Sequence, residues 1–276
     1  MNLFSPVQNA DIVNTISEFS EFGSPTQIER VDGVSYFVNE FWTSRQRQAN
    51  RIHEVSYRAC FKPQLPAFFI TNLTEVGDIV YDPFMGRGTT PIEAALRGRT
   101  PYGNDVNPLS RAFVEPRINA PRIAEIDKRL SEIPWDTFLD FEREDLLVFF
   151  HPKTLAHIEG LRSWLVAKEC GNEFDIIDAW IRMVAVNRLT GHSSGFFSVY
   201  TLPPNQAVSA ERQAKINEKR TQTPPERDVA SIIRKKTKSL LSHQRPLSRD
   251  GVFSTGSASQ TPEIADGVVS LTVTSP

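Results

Sequence analysis

Residues Asp82-Pro83-Phe84-Met85-Gly86-Arg87-Gly88-Thr89-Thr90 decide the fold class of this chain. A short apolar run, Gly77-Asp78-Ile79-Val80-Tyr81, precedes them, and a helix-like segment, Pro91 to Leu96, follows. The order is strand, acidic residue, Gly-x-Gly turn, helix. Glycines let a backbone turn sharply and approach a ligand with no Cβ in the way. A helix start adds unpaired N–H groups and the positive end of a dipole. The stretch therefore predicts a ligand cradle at the carboxyl end of a strand. Gly-x-Gly alone is a weak signal, because many turns hold two glycines. The nine residues in this order are far more specific.

A second acidic residue fits the same picture. Asp105 lies 23 positions after Asp82, at the end of Tyr102-Gly103-Asn104-Asp105. Nucleotide-binding folds place a ribose-binding carboxylate roughly 20 residues beyond the glycine turn. That length is what a βαβ unit requires, and its ligand sits beyond the carboxyl ends of the strands. The bland alternative is that Asp105 caps a turn ahead of Asn107-Pro108, a common use of Asp.

With these residues in view, the chain resembles the S-adenosylmethionine-dependent DNA methyltransferases that modify exocyclic amines, cytosine N4 or adenine N6. Asp82 to Thr90 looks like their motif I. Phe61-Lys62-Pro63-Gln64-Leu65-Pro66-Ala67-Phe68-Phe69-Ile70 is similar to motif X, and Tyr102-Gly103-Asn104-Asp105-Val106-Asn107-Pro108 to motif II. The resemblance covers about residues 50 to 110. It implies an α/β fold: a Rossmann-like sheet carrying a mainly helical insert. It implies S-adenosylmethionine as cofactor, held by Pro63, Asp82, Phe84, Gly86, Gly88, Thr89 and Thr90, with Asp105 on the ribose.

Amine methylation needs a further motif. An exocyclic amine is a poor nucleophile because its lone pair is delocalised into the ring. The family meets this with Asp, Asn or Ser followed by Pro-Pro and an aromatic residue that stacks on a flipped-out base. Thr201-Leu202-Pro203-Pro204-Asn205 has the prolines without the chemistry and reads as a structural turn. Asp266 to Val273 reads as a buried strand running into Thr274-Ser275-Pro276. That ending resembles the opening of Thr-Ser-Pro-Pro-(Phe or Tyr), typical of cytosine-N4 enzymes. Ser275 and the Pro276 carbonyl are then the expected contacts to the target amine.

The second proline and the aromatic residue do not follow, so the expectation is a sheet with an incomplete second half. The chain is expected to be one half of an enzyme, a split subunit or an interrupted product, completed by a second polypeptide. The leading expectation is a site-specific DNA (cytosine-N4) methyltransferase of the restriction–modification type. An adenine-N6 or RNA-directed relative is the alternative, as is an inactive module that binds S-adenosylmethionine and DNA.

Composition limits the remaining choices. Of 276 residues 39% are hydrophobic, and the formal net charge is −2. The charge is uneven: residues 206–250 carry eleven Lys or Arg against five Asp or Glu. That local excess suggests an anionic partner, here double-stranded DNA. Its densest part supplies Arg234, Lys235, Lys236 and Lys238 as phosphate contacts, the bland reading being a solvated helix face. Asn187, Arg188, His192 and Ser193 are candidate groove readers at a helix end. Cys60 and Cys170 have no metal-type spacing and read as reduced thiols of a cytoplasmic protein. Five scattered histidines offer no metal site. No stretch is long and apolar enough for a membrane span.

Along the chain, residues 1–45 read as an extension with a helix near Asp11 to Phe22 and a strand at Val34 to Val38. Residues 46–118 form the cofactor-binding region. Residues 119–262 form the helical insert, the expected target-recognition region, with helices over 151–200 and 206–241 and a loop or linker over 242–262. Residues 263–276 are the strand leading into the catalytic motif.

Overall fold

The computed structural model describes residues 6–41, 49–57, 60–202, 206–242 and 250–275, with the side chains of 6–11 excepted. They fall into two compact units. The first draws on the described residues of Met1–Ala49, Phe61–Val106 and Arg249–Pro276, the second on those of Asn50–Cys60 and Asn107–Ser248.

The first unit is built on a parallel sheet. Its opening segment is helix α1 (Pro6–Ser17), then a hairpin of β1 (Gln27–Val31) and β2 (Val34–Val38), paired antiparallel. Asn39 holds the hairpin base, its Nδ2 donating to the Phe19 and Ser24 carbonyls. Helix α2 (Gln64–Leu73), strand β3 (Ile79–Asp82), helix α3 (Thr89–Leu96) and strand β4 (Thr100–Asp105) follow. β3, α3 and β4 form the expected crossover unit, with Tyr81 opposite Tyr102.

Helices α4 (Pro108–Ile118), α5 (Ile123–Glu132), α6 (Pro152–Cys170), α7 (Ile176–Arg188), α8 (Ala210–Arg220) and α9 (Val229–Leu240) come next. The chain then returns to the sheet as β5 (Val252–Thr255) and β6 (Leu271–Thr272). The strand order is β5-β4-β3-β6, with every pair parallel. The α/β expectation holds. The reading of 242–262 as a loop does not hold throughout, because β5 lies inside it, pairing Tyr102 with Val252. The terminal strand is also shorter than the Asp266–Val273 expectation.

Strands β3, β4 and β5 are half-buried or buried along most of their length. Parallel strands are covered on both faces. Ile70 of α2, Val80 of β3, Ala94 of α3, and Leu271 and Val273 of the last segment form one buried cluster. Each such aliphatic side chain contributes about 1.5–3 kcal/mol on burial. The cluster clamps the two ends of the sequence motif against each other.

The second unit is helical and is held by buried polar links as well as apolar ones. Trp180 of α7 is fully buried and its indole N–H donates to Thr237 of α9 at 3.0 Å. Asp178 is also fully buried. It pairs with Lys168 of α6 at 2.9 Å and with Arg129 of α5, whose guanidinium reaches Asp175 at 2.8 Å as well. Asp175 and Asp178 form the capping box that opens α7. Pro224 and Pro225 lie in the break between α8 and α9, since neither can continue a helix.

Candidate functional site

The candidate site lies at the carboxyl ends of β3 and β4, entirely within the sheet unit. Asp82 ends β3 and is only 1% exposed. Its Oδ1 accepts from the Phe84 amide at 3.0 Å and from the Thr274 hydroxyl at 2.7 Å. Its Oδ2 is buried and has no well-formed hydrogen bond: the nearby Thr90 hydroxyl, which pulls the carboxyl's pKa down, donates to the Val273 carbonyl instead. Burial pushes this carboxyl up to about 6, against the downward pull of the Thr274 and Phe84 hydrogen bonds. A neighbouring Asp105 charge adds to the rise.

The turn itself takes the backbone forms that its glycines permit. Gly86 has φ +49° and Gly88 has φ +82°, both in the left-handed region that a Cβ disfavours. The Gly86 N–H donates to Asp105 Oδ2 at 2.8 Å, so the second carboxylate ties β4 to the glycine turn. Gly88 is the residue from which α3 starts. Phe84 is 46% exposed and presents its ring beside the turn. Pro63 is buried immediately before α2.

Thr89 and Thr90 are buried, and the Thr90 hydroxyl donates to the Val273 carbonyl at 3.0 Å. Thr90 thus braces the last segment against α3. Together with the Thr274–Asp82 bond, it brings residues some 190 positions apart to one strand end. Ser275 follows directly and is exposed. Pro276 lies outside the described residues, as do Pro203, Pro204 and Asn205 of the rejected double-proline motif.

Several supporting residues escape a sequence reading. Asn104 is buried, donates to the Gly256 carbonyl at 3.0 Å and accepts from the Ser254 hydroxyl at 2.9 Å. Gly256 N–H in turn donates to the Asp105 carbonyl at 3.0 Å. This lattice fixes where β4 ends and hence where Asp105 points. One signal was available: Val252 to Thr255 is a short run with strand-type residues bounded by Gly251 and Gly256.

The basic run, by contrast, is divided. All four residues lie on α9 in the helical unit. Arg234 pairs with Asp127 at 2.8 Å and Lys236 with Glu54 at 2.9 Å. Lys235 and Lys238 are exposed. Of the groove-reader candidates, Asn187 is buried and its Oδ1 accepts from Arg188 at 2.7 Å, a structural duty. Neither Cys60 nor Cys170 is in a disulfide. Among the described residues no cluster of His, Cys, Asp or Glu is placed to hold a metal ion. No described helix is long and apolar enough to cross a membrane.

Residues 20–111, a third of the chain, match the family model described as DNA methylase. The chain is 31% identical over 91 residues to the Type II methyltransferase M.MjaII of Methanocaldococcus jannaschii, covering 33% of this chain and 17% of the relative. It is 25% identical over 201 residues to the Type II methyltransferase M.MvaI of Kocuria varians, covering 64% and 42% respectively. It is 32% identical over 86 residues to M.MthZI of Methanothermobacter thermautotrophicus, covering 30% and 24%. In each case the matched segment spans less than half of the relative's own length. No solved structure gives a significant match.

Proposed function

We propose that this chain binds S-adenosylmethionine over Asp82 to Thr90 and serves the transfer of its methyl group to an exocyclic amine of a base in duplex DNA, cytosine N4. The observation that carries the reading is the meeting of Thr274 with Asp82. It puts the Thr-Ser segment, the proposed amine-binding motif, at the strand end that carries the proposed cofactor turn.

The donor set suits the cofactor. Asp82 presents a buried carboxylate oxygen without a well-formed hydrogen bond, and a cationic ligand relieves that state. Gly86 and Gly88 let the backbone come close to the methionine end, with the α3 start beneath it. Asp105 is half-exposed at the end of β4, and in this reading it takes the ribose hydroxyls. Phe84 offers an exposed ring at the rim, and Pro63 helps wall the site. When bound, S-adenosylmethionine supplies an electrophilic methyl group on a sulfonium.

The residues of the chain do the remaining work. Ser275 and the Pro276 carbonyl accept hydrogen bonds from the target amine, which favours a tetrahedral nitrogen with a localised lone pair. The base has to leave the stack to reach them. The transfer is direct, so neither Cys60 nor Cys170 takes part. Ser rather than Asp ahead of the proline favours cytosine N4 over adenine N6. β6 pairs with β3 on one side among the described residues.

The test is calorimetric. Asp105→Ala removes a charge-assisted hydrogen bond worth about 1.5–3 kcal/mol and weakens S-adenosylmethionine binding roughly 10- to 100-fold. Unchanged affinity would show that Asp105 does not hold the ribose. Label transfer from methyl-labelled cofactor to DNA, with the product nucleoside identified, then separates cytosine N4 from adenine N6.

A further inference from the structure

The helical unit contains a groove of about 470 Å³ between the end of α7, the loop around Ser194-Gly195, and α9 with the residues leading into it. Cations dominate its lining: Arg188, Arg227, Lys235 and Lys236. Ser231, Lys235 and Ser239 line it at a spacing of four, so one face of α9 forms the floor.

Two carboxylates also reach the groove, and both are already engaged. Glu226 pairs with Lys153 at 2.8 Å. Asp228 caps α9, accepting from the amide and the hydroxyl of Ser231 at 2.9 and 2.7 Å. At the other side Glu54 pairs with Lys236, and it also attracts Arg188. Lys236 feels repulsion from both Arg188 and Arg51. One carboxylate thus sits among three cations. Burial, then this crowding, holds the Lys236 ammonium below its usual range.

The cations are held in place rather than left floating. Arg188 lies over the Phe196 ring at 4.1 Å and is bonded to Asn187. The Arg227 backbone is gripped from both sides by the buried Thr154 hydroxyl, at 2.8 and 3.2 Å. Its side-chain Nε–H is buried with no hydrogen-bond partner, while the residue as a whole lines the groove. Such a donor costs about 1–3 kcal/mol unless something accepts from it. Lys235 is exposed and has no ion pair among the described residues.

The excess of positive charge and the Ser194 and Ser239 residues beside it together describe an anion site. No aromatic ring is among the described residues lining it, so it offers no stacking platform for bases. We infer that this groove seats the phosphodiester backbone of duplex DNA, with Arg227 and Lys235 contacting phosphates and Arg188 and Lys236 setting the positive field. This inference rests on the DNA methyltransferase reading and adds to it a surface that orients the duplex without reading its bases. It also moves the phosphate contacts from the whole 234–238 run to one side of α9.

The full chain is titrated against a fluorescently labelled 30-base-pair duplex at several salt concentrations, reading anisotropy. The Arg227→Ala/Lys235→Ala variant is expected to weaken binding and to flatten the slope of log affinity against log salt by roughly 1.8, about 0.9 per lost phosphate contact. Lys235→Ala alone, at an exposed position, is expected to lose about half of that, and it guards against misfolding of the double variant. Lys238→Ala, on α9 but outside the groove, is expected to leave the slope unchanged.

Arg227→Lys keeps the charge and is expected to restore most of the slope. Inorganic phosphate at the same ionic strength is not expected to displace the duplex. An unaltered slope in the double and single groove variants overturns the inference. So does an equal loss from Lys238→Ala, which marks diffuse surface charge, or displacement by inorganic phosphate, which marks a small-anion site. S-adenosylmethionine binding, followed in parallel by calorimetry, reports on the sheet unit. Its absence sinks the cofactor reading while leaving the groove result standing.

Discussion

The 82–90 turn and the 234–238 run are both short and conspicuous, yet only the turn keeps its residues on one task. In the turn, neighbouring residues act together: Asp82 receives Phe84, Gly86 meets Asp105, and Gly88 starts α3. In the basic run, neighbours part company. Arg234 goes to Asp127, Lys236 to Glu54, and Lys235 and Lys238 stay exposed. The turn is encoded in backbone conformations, which depend on adjacent residues. The run is encoded in charge, and a helix sends successive side chains about 100° apart to different partners.

The comparison predicts different costs when each region is disturbed. The largest effect belongs to the helical unit. Asp178→Ala removes the buried carboxylate that Arg129 and Lys168 share, leaving Arg129 with Asp175 and Lys168 without its ion pair, at a cost of about 3–5 kcal/mol. Urea denaturation is expected to show the midpoint falling accordingly. A loss below about 1 kcal/mol would mean that the ionic link contributes little to the unit.

Asp82 comes next. Its folded carboxyl titrates near 6 against an ordinary 3.8, so the folded chain holds this proton more tightly than the unfolded chain. Its contribution is most favourable below about pH 4 and is lost as pH rises to about 6, a change of about 3 kcal/mol. Asp82→Asn keeps the acceptor for Phe84 and Thr274 and is expected to flatten stability across that window. A wild-type stability curve without a fall between pH 4 and 6 would show the carboxyl is not held protonated.

Gly88→Ala is the smallest of the three. Forcing an alanine to φ near +82° costs about 1–2 kcal/mol. A thermal melt is expected to drop by a few degrees, and donor affinity to fall with it. The same change at an exposed α9 position, Lys238→Ala, is expected to stay within about 0.5 kcal/mol. Equal effects at the two positions would erase the contrast drawn between backbone and charge.

Much of the sheet unit was legible because its signals are local. The glycines, the Asp82–Asp105 spacing and the helix start each predict a feature within a few residues of themselves. β5 is hard to read because its four residues lie in a Ser-, Thr- and Gly-rich stretch, where the short signal of Val252 to Thr255 between two glycines is weak until pairing with β4 is seen. The bracing of the site by Asn104, Ser254 and Gly256 was invisible for the same reason, since its bonds span about 150 residues.

Residue order alone determined the α/β class, the glycine-opened turn at the end of β3 and the second carboxylate at the end of β4. These follow from rules of conformation and spacing that act over short distances. Tertiary structure alone decided that Thr274 meets Asp82, that half of the basic run is spent on Asp127 and Glu54, and that Arg227 joins Lys235 in one groove. Those outcomes depend on which distant surfaces pack together, and packing is settled by the summed burial and pairing of the whole chain.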